Sequence, residues 1–181
     1  MTMSVLRVAR TEDIPALEDL ITRSGLGLSA PFYTPAQAAA VTEHIFGVDS
    51  QLIEDQTYFM VEGRDGPIAC GGWSKRRTLF GGDQTKSGPD PLLDPAHEPA
   101  RIRAFFVDPD FARQGLGRRL LDACVEAARK ACFSELELAA TLPGVPLYIA
   151  CGFTSVEDMT LDLPGPIQVP LKRMRRALQR P

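Results

Sequence analysis

Residues 101–118 read Arg-Ile-Arg-Ala-Phe-Phe-Val-Asp-Pro-Asp-Phe-Ala-Arg-Gln-Gly-Leu-Gly-Arg. A strand-like run ends at the Asp108-Pro109 turn, and Gly115 and Gly117 then open a stretch with helical periodicity. Two glycines one residue apart let the main chain come close to a ligand, and the first turn of a helix presents unpaired N–H groups carrying about half a positive charge. Together they make an anion cradle suited to a pyrophosphate, with Arg113 and Arg118 as flanking cationic donors. Two other phosphate loops fail on spacing: a dinucleotide fingerprint needs a glycine where Leu120 stands, and a Walker loop needs a Gly-Lys-Ser/Thr that is absent. A second chemically suggestive residue is Tyr148, one turn before Gly152 in Leu147-Tyr148-Ile149-Ala150-Cys151-Gly152-Phe153. A phenol with a pKa of about 10 stays protonated at pH 7 and can act as a proton donor.

These residues need elements to hold them. Arg101 to Val107 reads as a strand, and a helix is predicted from about Gly115 to Ala131, with Leu116, Leu120, Leu121, Cys124, Val125 and Ala128 on one face. Leu136 to Ala140 reads as a strand, Pro146 to Cys151 as a short helix stopped at Gly152, and Thr154–Leu163 with Ile167–Arg175 as a final strand pair. Upstream, Val5 to Val8 is a strand, and Ile14, Leu17 and Ile21 form a helical stripe that Gly25 to Pro31 is expected to break. Thr34-Pro35-Ala36-Gln37 offers a second helix start, continued by Val41, Ile45, Val48 and Leu52 with an interruption at Gly47. Thr57–Glu62 and Ile68–Ser74 flank an Asp-Gly step and form a hairpin. Thr78 to Pro99 is a long aperiodic loop of the kind that carries function or mobility.

The motif segment resembles the GNAT superfamily of acyl-CoA-dependent N-acyltransferases. That family carries Gln/Arg-x-x-Gly-x-Gly/Ala after a strand ending in an apolar triplet and an Asp-Pro turn. Phe105-Phe106-Val107, Asp108-Pro109, Gly115 and Gly117 match, whereas the first motif position is Ala112, with an arginine one place later at Arg113. Tyr148 to Phe153 resembles the family's Tyr-x-x-x-Gly-Phe, and the likeness spans nearly the whole chain. The resemblance implies an α/β domain of α+β type, spanning 1–181, with a central mixed, mostly antiparallel sheet flanked by helices and a CoA-binding core at about 100–155. It further implies that strands 101–107 and 136–140 are parallel and splay to admit the CoA arm. Phe105, Phe106 and Val107 would line the pantetheine, and Arg113, Gln114, Gly115, Leu116, Gly117 and Arg118 would hold the pyrophosphate. Tyr148 would be the general acid. The expected function is transfer of an acetyl group from acetyl-CoA to a primary amine of a small molecule or peptide, by direct attack in a ternary complex.

The acceptor amine must also lose a proton, and the strand carries Arg101 and Arg103 where several family members have a carboxylate. Glu98, His97 and Glu137 are the candidate bases, with a water chain or an already neutral amine as alternatives. The lack of an obvious base keeps a non-catalytic acyl-CoA-binding sensor as the rival reading. Gly25 to Gly47 and the loop 78–99 are expected to shape the acceptor pocket, and Trp73 to sit in the core unless it walls that pocket.

Composition sets the limits. The 181 residues carry 20 Lys and Arg against 23 Asp and Glu, a net charge of −3 that argues against a nucleic-acid coat. The basic cluster Lys172, Arg173, Arg175, Arg176 and Arg180 is read as a solvated strand edge and tail rather than a nucleic-acid contact. No apolar run approaches the ~18 residues of a membrane helix, and the expected location is cytoplasmic without membrane contact. Cys70, Cys124, Cys132 and Cys151 have no C-x-x-C spacing and only two histidines accompany them, so they are read as reduced, mostly packed thiols and no metal is implied. Cys151 has neither His44 nor His97 close in sequence and is read as structural rather than nucleophilic. The oligomeric expectation is monomer or homodimer.

Overall fold

The computed structural model describes residues 4–179. Among these, β1 (Val5–Val8), β2 (Tyr58–Glu62), β3 (Pro67–Ser74), β4 (Ala100–Val107), β5 (Glu135–Thr141), β6 (Thr154–Leu163) and β7 (Ile167–Ala177) form one sheet. The spatial order is β1-β2-β3-β4-β5-β7-β6, and every neighbouring pair is antiparallel except β4 with β5. The mixed, mostly antiparallel sheet expected from the sequence is therefore present. Helices α1 (Ile14–Leu28), α2 (Pro35–His44) and α3 (Ser50–Glu54) cover one face, and α4 (Leu116–Lys130) and α5 (Val145–Ala150) cover the other. No helix of the described residues is long and apolar enough to cross a membrane.

Each face buries its own core. Leu121, Cys124, Val125 and Ala128 of α4 pack on Ile102, Leu136, Leu138 and Met174, while Leu17, Leu20 and Ile21 of α1 pack on Tyr58, Met60, Cys70 and Phe106. Trp73 belongs to the α4 core, edge-on to Phe133 at a centroid distance of 6.0 Å, and does not wall a pocket. All four cysteines are free; Cys132 is exposed and the other three are buried.

One expected break is absent: α1 runs through Gly25 and Gly27 to Leu28. A Cβ at Gly25 would lie 2.6 Å from Thr42 Oγ1 and 2.8 Å from the Phe46 ring, and one at Gly27 would lie 2.5 Å from Pro109 Cγ. These glycines are contact points where α2 and the Asp108-Pro109 turn close on α1, and that packing offsets the ~1 kcal/mol propensity loss of each. The stripe Val41 to Leu52, by contrast, divides into α2 and α3, because Asp49 turns out of helical geometry and caps α3 by accepting from the Gln51 amide at 3.0 Å.

The sheet opens in its middle. β4 and β5 share only the pairings Ala100↔Leu136 and Arg101↔Glu137, after which they part. A bulge in β4 sets this geometry: the β3 register moves from Gly72↔Arg103 to Cys70↔Phe106, so Ala104 and Phe105 together face Gly71. Ala104 sits at φ +54°, and its carbonyl accepts from the Tyr58 hydroxyl at 2.9 Å, which holds the bulge. β5 meanwhile stays paired with β7 along its whole length. The facing edges of residues 102–107 and 138–141 consequently have no strand partner.

At the parting point lies Glu137, whose side chain is fully buried. Its Oε1 accepts from Arg101 Nη1 and Arg173 Nη2, each at 2.9 Å, and its Oε2 from Arg175 Nε at 2.5 Å. Burial alone would push this carboxyl up, but the guanidiniums of Arg173, Arg175 and Arg101 outweigh it and hold it below the ordinary glutamate value. This corrects the reading of Glu137 as a candidate base, since both its oxygens are bound by guanidiniums and it does not line the cavity between β4 and β5. It also corrects the placement of the basic cluster: β7 is an interior strand, and β6 is the edge. Lys172 and Arg173 pair with Asp158 and Glu157 of β6, and Arg173 and Arg175 with Glu137; Arg180 lies outside the described residues.

Glu137→Ala is expected to destabilise the fold by about 3 kcal/mol, read from the denaturation midpoint, because three guanidiniums lose one shared acceptor. The carboxyl titrates below its unfolded value, so its contribution is complete above that value of about 4.3 and is lost as pH falls through the lower folded value. In the alanine variant this increment of acid sensitivity should be absent.

Candidate active site

The wedge between β4 and β5 opens into a cavity of about 700 Å³. One end is bounded by Ala112, Arg113, Gly115, Leu116, Gly117 and Arg118 at the start of α4, the middle by residues 102–107 of β4 and 138–141 of β5, and the far end by α1, α2 and the loop after β3. Phe105, Phe106, Val107, Arg113, Gly115, Leu116, Gly117, Arg118 and Tyr148 thus line one space. Gln114 is exposed beside it without lining it.

The α4 end is built by backbone geometry. Asp108 accepts from the Asp110 amide at 3.0 Å and starts a single 3-10 turn, after which Arg113 and Gly115 both take left-handed conformations at φ +64° and +81°. The chain thereby swings into α4 with the amides of Leu116, Gly117 and Arg118 pointing off its free end; none has an acceptor among the described residues. The glycines do different jobs. A Cβ at Gly115 would meet open space, so the need there is the backbone angle, whereas a Cβ at Gly117 would lie 2.8 Å from Leu147 Cδ2, so the need there is close approach of α5. Arg118 reinforces this junction by donating to the Ala150 carbonyl at 3.1 Å.

That junction delivers Tyr148. Its ring packs edge-on to Phe105 at 6.2 Å and Phe153 at 5.6 Å between centroids, and its hydroxyl makes no hydrogen bond with the described residues. The other two tyrosines are committed: Tyr33 donates to the Pro170 carbonyl at 2.7 Å and Tyr58 to that of Ala104. Burial pushes the Tyr148 phenol well above its ordinary value, with Cys124 and Cys151 nearby adding to the effect. The phenol therefore stays protonated at physiological pH.

The far end was only partly legible in the sequence. Leu28 and Phe32 from the end of α1 and beyond, Val41 and Phe46 from α2 and its exit, and Leu79 and Phe80 from the long loop converge there. The loop is braced throughout. Arg76 forks onto Asp55 at 2.7 and 2.9 Å, Thr78 N donates to Asp90 Oδ1 at 2.9 Å, and Arg103 donates to the carbonyls of Thr78 and Gly81 at 3.1 and 2.6 Å. Arg103 is anchored by buried Asp49 at 3.0 Å, and Asp49 also holds Lys86 of the loop. Sequence reading missed this Asp49–Arg103–Lys86 cluster because an Asp before a helix looks like a cap, which it also is. The remaining base candidates stand apart: His97 is exposed and bound to Asp94 at 2.7 Å, Glu98 accepts from the Asp94 amide at 2.8 Å, and neither lines the cavity.

Comparison with known proteins gives the family and similar folds. Residues 27–153 match the model of the acetyltransferase (GNAT) family, and the chain belongs to that family. No curated protein matches it by sequence. Its fold is similar to that of a GCN5-related N-acetyltransferase from Rhodopseudomonas palustris, whose name also carries "Aminotransferase, Class-II", with a TM-score of 0.71 at 17% identity over 98% of each chain. The PaiA N-acetyltransferase of Thermoplasma acidophilum, solved in complex with coenzyme A, gives 0.65 at 13% identity, covering 97% of this chain and 99% of that one. YncA of Salmonella typhimurium, solved with its cofactor acetyl-CoA, gives 0.64 at 15% identity, covering 97% and 94%.

Gly115→Ala is expected to destabilise by about 1 kcal/mol, measured by chemical denaturation, because alanine resists the φ of +81° even with space for its methyl. Gly117→Ala should instead perturb the Leu147 and Tyr148 signals in NMR, since its methyl displaces Leu147.

Proposed function

We propose that this protein is an acetyl-CoA-dependent N-acetyltransferase of one domain, with its CoA-binding core at about 100–155. The carrying observation is a coincidence in one cavity: an unpaired helix N-terminus, two parted strand edges and a tyrosine hydroxyl with no other partner. The cradle supports a diphosphate held by the amides of Leu116, Gly117 and Arg118, with Gln114 and Gly115 in the same turn and Arg113 and Arg118 adding charge. The edge of β4 from Phe105 to Val107, whose Val107 amide already donates to Ser24 Oγ at 3.2 Å, can hydrogen-bond an extended pantetheine through its remaining groups as a strand would. The thioester then falls beside Tyr148. The parallel pair that parts after two residues and the coenzyme seen with structural neighbours support this fit.

In this reading an acceptor amine from the far end attacks the thioester carbonyl, and Tyr148 gives its proton to the departing sulfur. Both substrates must be bound together, because attack needs the reacting atoms at near-contact distance. The raised phenol pKa fits a donor and excludes Tyr148 as the resting base. One observation favours a second reading: among the described residues lining the cavity there is no carboxylate and no histidine. A non-catalytic acyl-CoA sensor needs neither.

Acetyl-CoA at about 100 times its dissociation constant should stabilise the protein by about 2.7 kcal/mol in a thermal-shift experiment, and no shift would remove both readings. Tyr148→Phe should lower turnover about 10²-fold or more with little change in acetyl-CoA affinity, and unchanged turnover would remove the general-acid role. With Tyr148 intact, no loss of kcat is expected up to about pH 10, because the donor stays protonated there. Thiol release with any amine excludes the sensor.

A further inference from the structure

Acceptor chemistry follows from what surrounds the far end of the cavity, given the acetyltransferase reading on which it rests. The walls are Leu28, Phe32, Val41, Phe46, Leu79 and Phe80. The charged residues lining the cavity are Arg103, Arg113 and Arg118, all positive, and no Asp, Glu or His lines it among the described residues. The carboxylate behind this end is Asp49, which is buried, does not line the cavity, and is already bound to Arg103, Lys86 and the Gln51 amide. Four backbone acceptors around this end are engaged too. The Ile45 carbonyl takes the Gly82 amide, that of Phe46 takes Gln84 Nε2, that of Gly81 takes Arg103, and that of Gly25 takes Ser29 Oγ.

An alkylammonium entering here would give up its water and meet no free anion, since Arg103, the arginine at this end, already takes Asp49. It would also need a base. At pH 7 an alkylamine that titrates near 10.4 is neutral in roughly one molecule in 2,500. An amine attached directly to an aromatic ring is different on both counts. Its conjugate acid titrates in the range of a carboxylic acid, so it arrives neutral with its lone pair available, and its ring matches the edges of Phe32, Phe46 and Phe80. We infer that the acceptor end, walled by aromatic and aliphatic side chains and lacking any anion, takes a neutral, weakly basic arylamine.

The transfer balances without a side-chain base. The arylamine lone pair forms the C–N bond at the thioester carbonyl carbon, and the C–S bond breaks with its electron pair going to sulfur. Sulfur takes the Tyr148 proton, and the surplus proton on nitrogen passes through solvent to restore the phenol. The products are an N-aryl acetamide and free CoA thiol.

The test is thiol release by the full chain with acetyl-CoA, using aniline, para-methylaniline, benzylamine, spermidine, a peptide with a free α-amine and a blocked peptide carrying one lysine. At pH 7 the anilines are expected to exceed every other amine in kcat/KM by at least about tenfold, and their rate to be flat from pH 7 to 8 while that of benzylamine rises about tenfold with its neutral fraction. Phe32 is 43% exposed, and Phe32→Glu supplies the missing anion, so the ratio of benzylamine to aniline should rise at least about threefold. A higher kcat/KM for an alkylamine, polyamine or peptide, or a benzylamine rate that does not follow pH, overturns the arylamine assignment. So does thiol release with none of these amines while acetyl-CoA raises Tm. Absence of any Tm shift with acetyl-CoA strikes the acetyltransferase reading itself.

Discussion

Glu137 gathers Arg101, Arg173 and Arg175 at the one place where β4 and β5 touch. A sheet with a gap in its middle leaves unpaired peptide edges, and those edges carry a standing cost unless the strands are secured on either side. Here β4 is held by β3 and by the Tyr58 bond to its bulge, while β5 is held by β7. The carboxylate pins three strands at the apex, so the gap can widen from a fixed hinge point instead of unzipping the sheet. Everything that follows, from the length of the cavity to the position of Tyr148, is measured from that apex.

The bulge is the second half of the same constraint. By placing Ala104 and Phe105 opposite the single residue Gly71, it puts Arg103 and Ala104 on the α1 side and returns Phe105 to the α4 side. Without that shift, Phe105 could not face Tyr148 while Phe106 faces Phe46. The adjacent Arg103 becomes the post to which the loop 78–81 is tied, and that loop brings Leu79 and Phe80 to the cavity. A backbone irregularity of one residue therefore shapes both the Tyr148 side and the far end of the cavity.

Charge divides the molecule in a consistent way. The anion-facing end of the cavity relies on amide dipoles and two exposed arginines, which suits a ligand that carries its own negative charge. Buried carboxylates are present, but each is turned inward: Asp49 braces a loop and Glu137 braces the sheet. The chemistry left for the cavity is a donor hydroxyl and apolar walls. In the proposed reaction, proton removal from the acceptor then falls to the acceptor's own basicity, or to water.

Local order makes some of this readable in advance. The strand, the Asp108-Pro109 turn, the Gly115 and Gly117 pair and the amphipathic α4 are specified by residues within one segment, and so are Tyr148, Gly152 and the two hairpins. Other features depend on residues far apart. Gly25 and Gly27 read as helix breakers, and only Thr42, Phe46 and Pro109 packed against them show why the helix continues. Glu137 looked free to act as a base until β7 arrived with two arginines, and the basic run on β7 looked like an edge until β6 paired outside it. The sequence by itself determined the glycine turn into α4, the place of Tyr148 one turn before Gly152 and the family, because each is written in short-range spacing. Tertiary structure alone decided where the sheet parts, which carboxylates are neutralised and which six apolar side chains meet at the far end of the cavity. Those outcomes are set by strand order and long-range packing, and spacing along a chain carries no record of either.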